Sequence, residues 1–320
     1  MKKIIALFLL CSLLLLSFIA CENNANGTNK TDDDTNDGST NTDDSTEELK
    51  ETPASDFEYE FSSIGKYVYI TKYIGESEDV VIPSEIEDFP VIQIKSGAFE
   101  NSTVKNVVLP KTVTGIGAAF KNCTSLSSVT LPQDSELYII GHNAFENCTS
   151  LKTINLEVAE KLTTIEGKAF SNCSSIEEII LPKNLEEVYA EAFSNCSSLK
   201  SVTISSELKY AGGIGVPLGV PFYDNPALEE IIYVDGIHYI SGYMTFSITS
   251  DVKITVPDSV TKIDTYTFVN KGKIDFFFYG DCPEITSDDK FDGNVTIHYN
   301  PNTDGWDTTP LKDAHTLIPN

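Results

Sequence analysis

The amino-acid sequence predicts a β-rich solenoid of roughly eight to nine repeats, each about 23 residues long. Three observations support this prediction. A short motif recurs at nearly constant spacing, every repeat contains a strand-like segment, and no single repeat can cover its own apolar face. Hydrophobic residues make up 41% of the 320-residue chain, so a substantial core is possible.

The recurring motif has the form Ala-Phe-x-Asn-Cys-x-Ser-Leu. Close copies occupy residues 119–126, 144–151, 169–176 and 192–199. Weaker copies contain Phe99, Phe222, Phe246, Phe268 and Phe291. The nine phenylalanines are separated by 21, 25, 25, 23, 29, 24, 22 and 23 residues. Such a series indicates one structural unit repeated along the chain.

A short strand is predicted after each motif. Buried and outward side chains alternate in segments such as Val129–Pro132 and Ile179–Pro182, which is typical of a strand. Proline ends the segment because it cannot donate to a ladder of hydrogen bonds. A second apolar pair follows, so each repeat is a strand, a turn, a short return segment and a loop. Stacking of neighbouring repeats then covers the apolar faces.

Three residue columns follow from the repeat. The phenylalanines are interpreted as a core spine, and the alternative is a stripe that stacks on carbohydrate. One slot holds Cys123, Cys148, Cys173 and Cys196. Their spacing does not fit a zinc site and their parallel side chains do not suit disulfides, so we expect buried thiols. The next slot holds Asn122, Asn147, Asn172 and Asn195. We expect their amides to bond loop backbone that lacks sheet partners, and we interpret the column as a structural asparagine ladder.

The N-terminus resembles a lipoprotein signal. Lys2 and Lys3 precede an apolar run, and Ser17–Cys21 resembles the lipobox of bacterial lipoproteins. This resemblance implies a signal peptide over residues 1–20 and a lipid on Cys21. The alternative is an ordinary signal peptide with an incidental cysteine. Residues 22–56 carry eleven acids and two lysines with few large apolar side chains, which predicts a disordered acidic tether over residues 21–56.

Residues 57 to about 310 resemble the BspA-like leucine-rich-repeat family. Besides the repeated motif, Tyr67–Tyr73 and Val80–Pro83 are similar to the family's opening segment, and Gly305-Trp306 is similar to its closing cap. The resemblance implies a leucine-rich-repeat solenoid over residues 57–320 with caps at both ends. It also implies a surface or secreted protein, since several members are adhesins.

Charge and motifs restrict the function. The net charge of −26 repels nucleic acid and gives no attraction to an anionic membrane, so membrane contact is expected through the lipid alone. The four histidines do not lie in a recognisable catalytic motif, and no metal or phosphate-binding pattern is found. We therefore expect no enzyme activity, cofactor or metal.

The predicted function is binding by the outward side chains of the strands. These are Ser128, Thr130, Thr153, Asn155, Glu178, Ile180, Ser201, Thr203, Glu230 and Ile232. The chain is expected at the bacterial cell envelope, on the outer-membrane surface, as an adhesin or envelope module for an extracellular or host protein. The alternative is a glycan-binding surface lipoprotein that captures nutrients.

A second candidate surface is the irregular segment Ala211–Pro221, which is rich in glycine and proline and falls in the longest step between repeats. Loops that interrupt a repeat often carry function. Five tyrosines surround this segment, namely Tyr210, Tyr223, Tyr233, Tyr239 and Tyr243. Tyrosine suits interfaces. The alternative is an insertion that the repeat tolerates.

Overall fold

A computed structural model describes residues 50–208, 220–241, 246–264, 268–286 and 291–320. It shows a β-solenoid of about ten turns of about 23 residues, which confirms the predicted fold class. The count exceeds the predicted eight to nine because the aromatic column begins one turn earlier than the motif. The ring of Tyr73 stacks on Phe99 at 5.2 Å between centroids and so takes the place of a phenylalanine.

The described secondary structure is almost entirely short strands. In chain order they are β1 (Phe57–Phe61), β2 (Val68–Tyr73), β3 (Asp79–Val81), β4 (Glu85–Ile86), β5 (Phe89–Ile94), β6 (Asn106–Val108), β7 (Gly115–Ile116), β8 (Ser128–Thr130), β9 (Ile139–Ile140), β10 (Thr153–Ile154), β11 (Thr164–Ile165), β12 (Glu178–Ile180), β13 (Glu187–Val188), β14 (Ser201–Ile204), β15 (Glu230–Tyr233), β16 (Tyr239–Ile240), β17 (Phe246–Ile248), β18 (Val252–Val256), β19 (Lys262–Asp264), β20 (Phe268–Asn270), β21 (Lys273–Phe278), β22 (Glu284–Thr286), β23 (Asn294–Tyr299) and β24 (Thr316–Pro319). A single α-helical turn, α1, spans Leu311–Ala314, and 3-10 turns span Ala54–Asp56 and Leu156–Val158.

The strands form two main faces. We call the first the strand face: it contains a four-stranded parallel sheet ordered β3-β6-β8-β10 and a seven-stranded parallel sheet ordered β12-β14-β15-β18-β21-β23-β24. These strands occupy the same position in each repeat. We call the second the return face: it contains the sheet β1-β2-β5-β7-β9-β11-β13, with β4 paired to β5, and the sheet β16-β19-β22. Strands β17 and β20 form a separate two-stranded sheet, and each follows the return segment in the chain.

The strand face is interrupted between β10 and β12. The chain leaves the strand at Asn155, whose side-chain oxygen accepts from Leu131 N at 2.8 Å and whose amide nitrogen donates to Leu131 O at 2.9 Å. The amide therefore takes the place of a strand backbone. The 3-10 turn Leu156–Val158 follows at once. The uniform strands predicted from the repeat are wrong at this turn, because a side chain has replaced the main chain as hydrogen-bond partner.

The phenylalanine column is the core spine of the solenoid, as predicted. From Phe99 to Phe246 successive rings stack with centroids 4.7–5.1 Å apart and planes within 20° of parallel. All of these side chains are fully buried. Because buried rings cannot meet a sugar, the column is not a carbohydrate-stacking stripe.

The cysteine column lies beside the spine, and its thiols are free and buried, as predicted. Each thiol donates to the carbonyl of the phenylalanine in the preceding turn, for example Cys148 Sγ to Phe120 O at 3.0 Å. In the turn of Phe222, which has asparagine in this slot, Asn225 Nδ2 donates to Phe193 O at 3.0 Å. The slot therefore holds a buried donor for this carbonyl. Burial raises the pKa of Cys196 to about 12 and that of Cys148 further.

The asparagine column forms the predicted ladder, but with side-chain partners in place of the predicted loop backbone. Its amides bond one another, with Asn147 Nδ2 donating to Asn122 Oδ1 at 2.8 Å and Asn172 Nδ2 donating to Asn147 Oδ1 at 2.9 Å. The asparagines also have left-handed backbone conformations, with φ of 60°, 63° and 61° at these three positions. Asparagine tolerates this conformation better than most residues, which explains its place in the turn.

Residues before the predicted boundary at Phe57 already pack against the first turn. Thr52 is buried, its N–H donates to Val81 O at 2.8 Å, and its hydroxyl accepts from Val81 N at 3.0 Å. Thr52 thus covers the edge of β3. Of the terminal caps, the structure shows the antiparallel strand β1 beside β2 and the buried Trp306, and the caps themselves stay a prediction. Within the described ranges, no helix is long and apolar enough to cross a membrane.

Candidate functional site

The predicted binding residues form two rows across the strand face. In the seven-stranded sheet, Glu178 pairs with Ser201, which pairs with Glu230, and Ile180, Thr203 and Ile232 pair in the same way. Ser128 and Thr153 are paired in the four-stranded sheet, and Thr130 lies on the same strand as Ser128. The structure therefore brings the predicted residues onto one face, in two groups separated at Asn155.

Exposure separates these residues into three kinds. Thr130, Thr153 and Glu178 are exposed, and Ser128, Ile180, Ser201, Glu230 and Ile232 are half-buried. Thr203 is the exception. Only 6% of Thr203 is exposed, because its short side chain lies between the longer side chains of Ile180 and Ile232 in the register. The prediction that Thr203 is available to a partner is wrong.

The prediction that Asn155 is a binding residue is also wrong. Both polar atoms of its amide are engaged with the backbone of Leu131, so the side chain supports the fold and does not project as a binding group. Its place in the predicted row followed from alternation along a regular strand. The 3-10 turn that begins at Leu156 ends that alternation.

Ion pairs between adjacent turns hold the charged side chains of the strand face. Lys200 Nζ lies 2.7 Å from Glu177, and Lys253 Nζ lies 2.7 Å from Glu230. The hydrogen bond from Lys200 holds the pKa of Glu177 below its usual range and raises that of Lys200. In the four-stranded sheet, Asn106 Nδ2 donates to Asp79 and Ser128 donates to Asn106, both at 2.6 Å. The surface is therefore ordered by its own side chains.

The same rows continue past Ile232 onto strands that the sequence analysis did not include. Thr255 pairs with Phe277, and Phe277 pairs with His298. The rings of Phe277 and His298 are parallel at 4.3 Å, and Lys253 Nζ lies 5.5 Å from the phenylalanine centroid. The alternating segments Lys273–Phe278 and Asn294–Tyr299 were the signal that could have extended the face.

This aromatic pair bears on the glycan alternative. A ring that stacks on a sugar must present a free face. The ring of His298 lies against one face of Phe277. The ammonium group of Lys253, which belongs to the neighbouring strand on the opposite side, lies over the ring of Phe277. Both faces of the Phe277 ring therefore have neighbours, and this observation does not favour carbohydrate stacking on Phe277.

The region around the glycine- and proline-rich segment is described only in part. The described residues do not include Tyr210, Tyr243 or residues 211–219. The predicted lipidation site, Cys21, also lies outside them. Tyr223 is 52% exposed and Tyr239 is half-buried, but only 4% of Tyr233 is exposed. The predicted cluster of interface tyrosines is therefore wrong for Tyr233, whose ring lies in the core.

The fold and this face define a class of protein. A parallel β-solenoid with an apolar core column and a ladder of asparagines is a repeat protein in which each turn packs on its neighbours. The family model described as the BspA-type leucine-rich repeat region matches residues 92–213 and 220–296, in six copies. The chain belongs to this family. Its members are typically bacterial cell-surface proteins that bind other proteins, and they are generally binding modules without enzyme activity.

Several solved structures are similar to the chain. A leucine-rich-repeat protein of T. pallidum is 26% identical, with a TM-score of 0.43, over 72% of this chain and 86% of that chain. A leucine-rich-repeat protein of Bacteroides ovatus is 20% identical, with a TM-score of 0.46, over 76% of this chain and 70% of that chain. A leucine-rich cell-surface protein of Faecalibacterium prausnitzii is 18% identical, with a TM-score of 0.30, over 74% and 95%. Comparison with curated proteins found no match.

Proposed function

We propose that this chain is a lipid-anchored protein of the bacterial cell surface that binds an extracellular or host protein across its strand face. The observation that carries the proposal is the register of β12, β14 and β15, which aligns half-buried Ile180 and Ile232 beside Glu178, Ser201 and Glu230. This surface has an apolar strip with a polar border. Interfaces between proteins commonly combine an apolar centre with a polar rim.

The shape of the face suits a macromolecule. A sheet whose outward side chains are mostly short and β-branched is flat, so it offers a small molecule little enclosure. The side chains are also held in place, because Lys253 pairs with Glu230 and Lys200 pairs with Glu177. Groups that are already ordered lose less conformational entropy when a partner binds.

Charge supports a preference among partners. Residues 50–320 carry 39 acids and 19 lysines. Lysines on the strand face and on other surfaces are paired with acids of adjacent turns, and the acids outnumber the lysines about two to one. Such a field attracts basic proteins over a distance and raises their association rate, and salt weakens it.

A pair of matched double variants tests the face. Lysines at Ile180 and Ile232 place two charges on the apolar strip, whereas lysines at Ile92 and Ile139 place two charges at half-buried positions of the return face. The mature chain in each form is immobilised and exposed to host extracellular proteins. We expect one protein to bind the wild type and the return-face variant, and to be lost from the strand-face variant.

Equal binding by both double variants would place the site elsewhere, and Tyr223 would then be the next position to replace. Thr203 is left unchanged, because a lysine at this buried position would disturb folding as well as binding. Circular dichroism spectra and thermal midpoints of the two variants must agree with those of the wild type for the comparison to count.

The anchor has its own test. If Cys21 carries the lipid, Cys21→Ser will move the protein from the detergent phase to the aqueous phase in Triton X-114 partitioning, and the fatty-acid label will be lost. Stable attachment to a bilayer takes more than one acyl chain. A wild-type protein that takes no label would refute the anchor and leave the binding face untouched.

A further inference from the structure

Tyr233 places a hydroxyl where the other turns have only hydrocarbon. It ends β15 in the slot that holds Leu181, Ile204 and Val256 in other turns of the sheet. Its side chain is 4% exposed, and its hydroxyl has no hydrogen-bond partner in the protein. Burial raises the pKa of Tyr233, so the phenol remains neutral. A buried hydroxyl without a partner costs free energy that a leucine would not cost.

A second hydroxyl has the same property. Ser206 is 8% exposed, and its Oγ also has no partner in the protein. Ser206 and Tyr233 line one cavity, together with Ile204, Leu208 and Ser241. Ser241, which donates to Leu208 O at 3.2 Å, adds a third polar group to this wall. Two separate turns of the solenoid thus each contribute a residue with an unpaired hydroxyl to the wall of one small space.

The size of this space decides what it can hold. The cavity has a volume of about 10 Å³, which is at the lower limit of what one water molecule requires. An apolar guest would leave both hydroxyls unpaired, and a larger polar solute would not fit. We propose that the cavity is a site for one buried water that bridges Tyr233 Oη and Ser206 Oγ.

The sign of two stability changes tests the site. If a water joins the hydroxyls, Tyr233→Phe and Ser206→Ala in the mature chain each remove a satisfied hydrogen bond, and we expect each to lower the folding equilibrium constant about fivefold. If the hydroxyls are unpaired, the same substitutions remove a penalty and raise the constant. Tyr223→Phe is the control, because it removes a hydroxyl from a tyrosine that is 52% exposed, and its effect should be negligible.

The double variant and the electron density complete the test. Because both hydroxyls share one water, the two losses should not add, and the double variant should lose clearly less than 25-fold. In a crystal structure of the mature chain, a solvent peak should lie roughly 2.6–3.2 Å from both hydroxyl oxygens. A gain in stability from Tyr233→Phe, or density showing no peak between the two oxygens, would overturn the proposal.

Discussion

Replacement of Phe145 by alanine tests the aromatic column at its centre. The side chain is fully buried, and its ring stacks on Phe120 at 5.1 Å with planes 3° apart and on Phe170 at 5.1 Å with planes 12° apart. Truncation of a buried phenylalanine costs about 3–5 kcal/mol. Because two stacking contacts are lost as well, each worth about 0.5–1.5 kcal/mol in general, we expect a value in the upper half of that range.

The assay is equilibrium unfolding in urea, followed by far-UV circular dichroism and by the fluorescence of Trp306. This single tryptophan is 3% exposed in the C-terminal part of the described chain, so it reports on a region remote from Phe145. The two signals should give one midpoint if the array unfolds as a unit. Phe145→Leu is the control, because it keeps most of the buried volume and should lose less. A loss below about 1 kcal/mol for Phe145→Ala would refute the core role of the column.

Other consequences follow from the columns. Phe291→Ala should cost less than Phe145→Ala in the same assay, because Phe291 is the last phenylalanine of the column and only the final turn, which ends in β24, lies beyond it. Asn147→Ala should cost about 1–2 kcal/mol, and Asn147→Gly should cost less, because glycine accepts the φ of 63° that alanine resists. The buried thiols remain protonated above pH 9 while unfolded thiols ionise, so urea unfolding should show stability falling as pH rises above 9. Cys148→Ala should reduce that slope by about 1.4 kcal/mol per pH unit.

The repeated motif predicts much of the fold. The spacing of the phenylalanines specifies one turn each, and the alternation after each motif specifies the strand, so the solenoid, its core spine and its buried thiols follow from the sequence. The first turn was missed because Tyr73 lacks the Ala-Phe and Asn-Cys residues around it, although its ring continues the stack. An aromatic ring that can stack in the core is what the column requires, and tyrosine meets this requirement as phenylalanine does.

The candidate site was predicted less completely, because its exposure depends on how neighbouring side chains pack. Alternation indicates which side chains point outward, but it does not show how far neighbours cover them, and so Thr203 was placed on the surface although Ile180 and Ile232 bury it. Alternation also fails where a side chain replaces a strand, as Asn155 does beside Leu131. The continuation of the face to Phe277 and His298 was missed because the later repeats lack the motif that defined the earlier ones.

Carboxyl footprinting of the complex with the bound protein tests the central claim most directly. Glu178 is exposed on the strand face, and Glu187 lies nine residues later on the return face, so each molecule carries its own control. With glycine ethyl ester and a carbodiimide, read out by mass spectrometry, labelling of Glu178 should fall when the partner is bound while labelling of Glu187 stays the same. Protection of Glu187 with Glu178 still labelled at its free rate would contradict binding across the strand face.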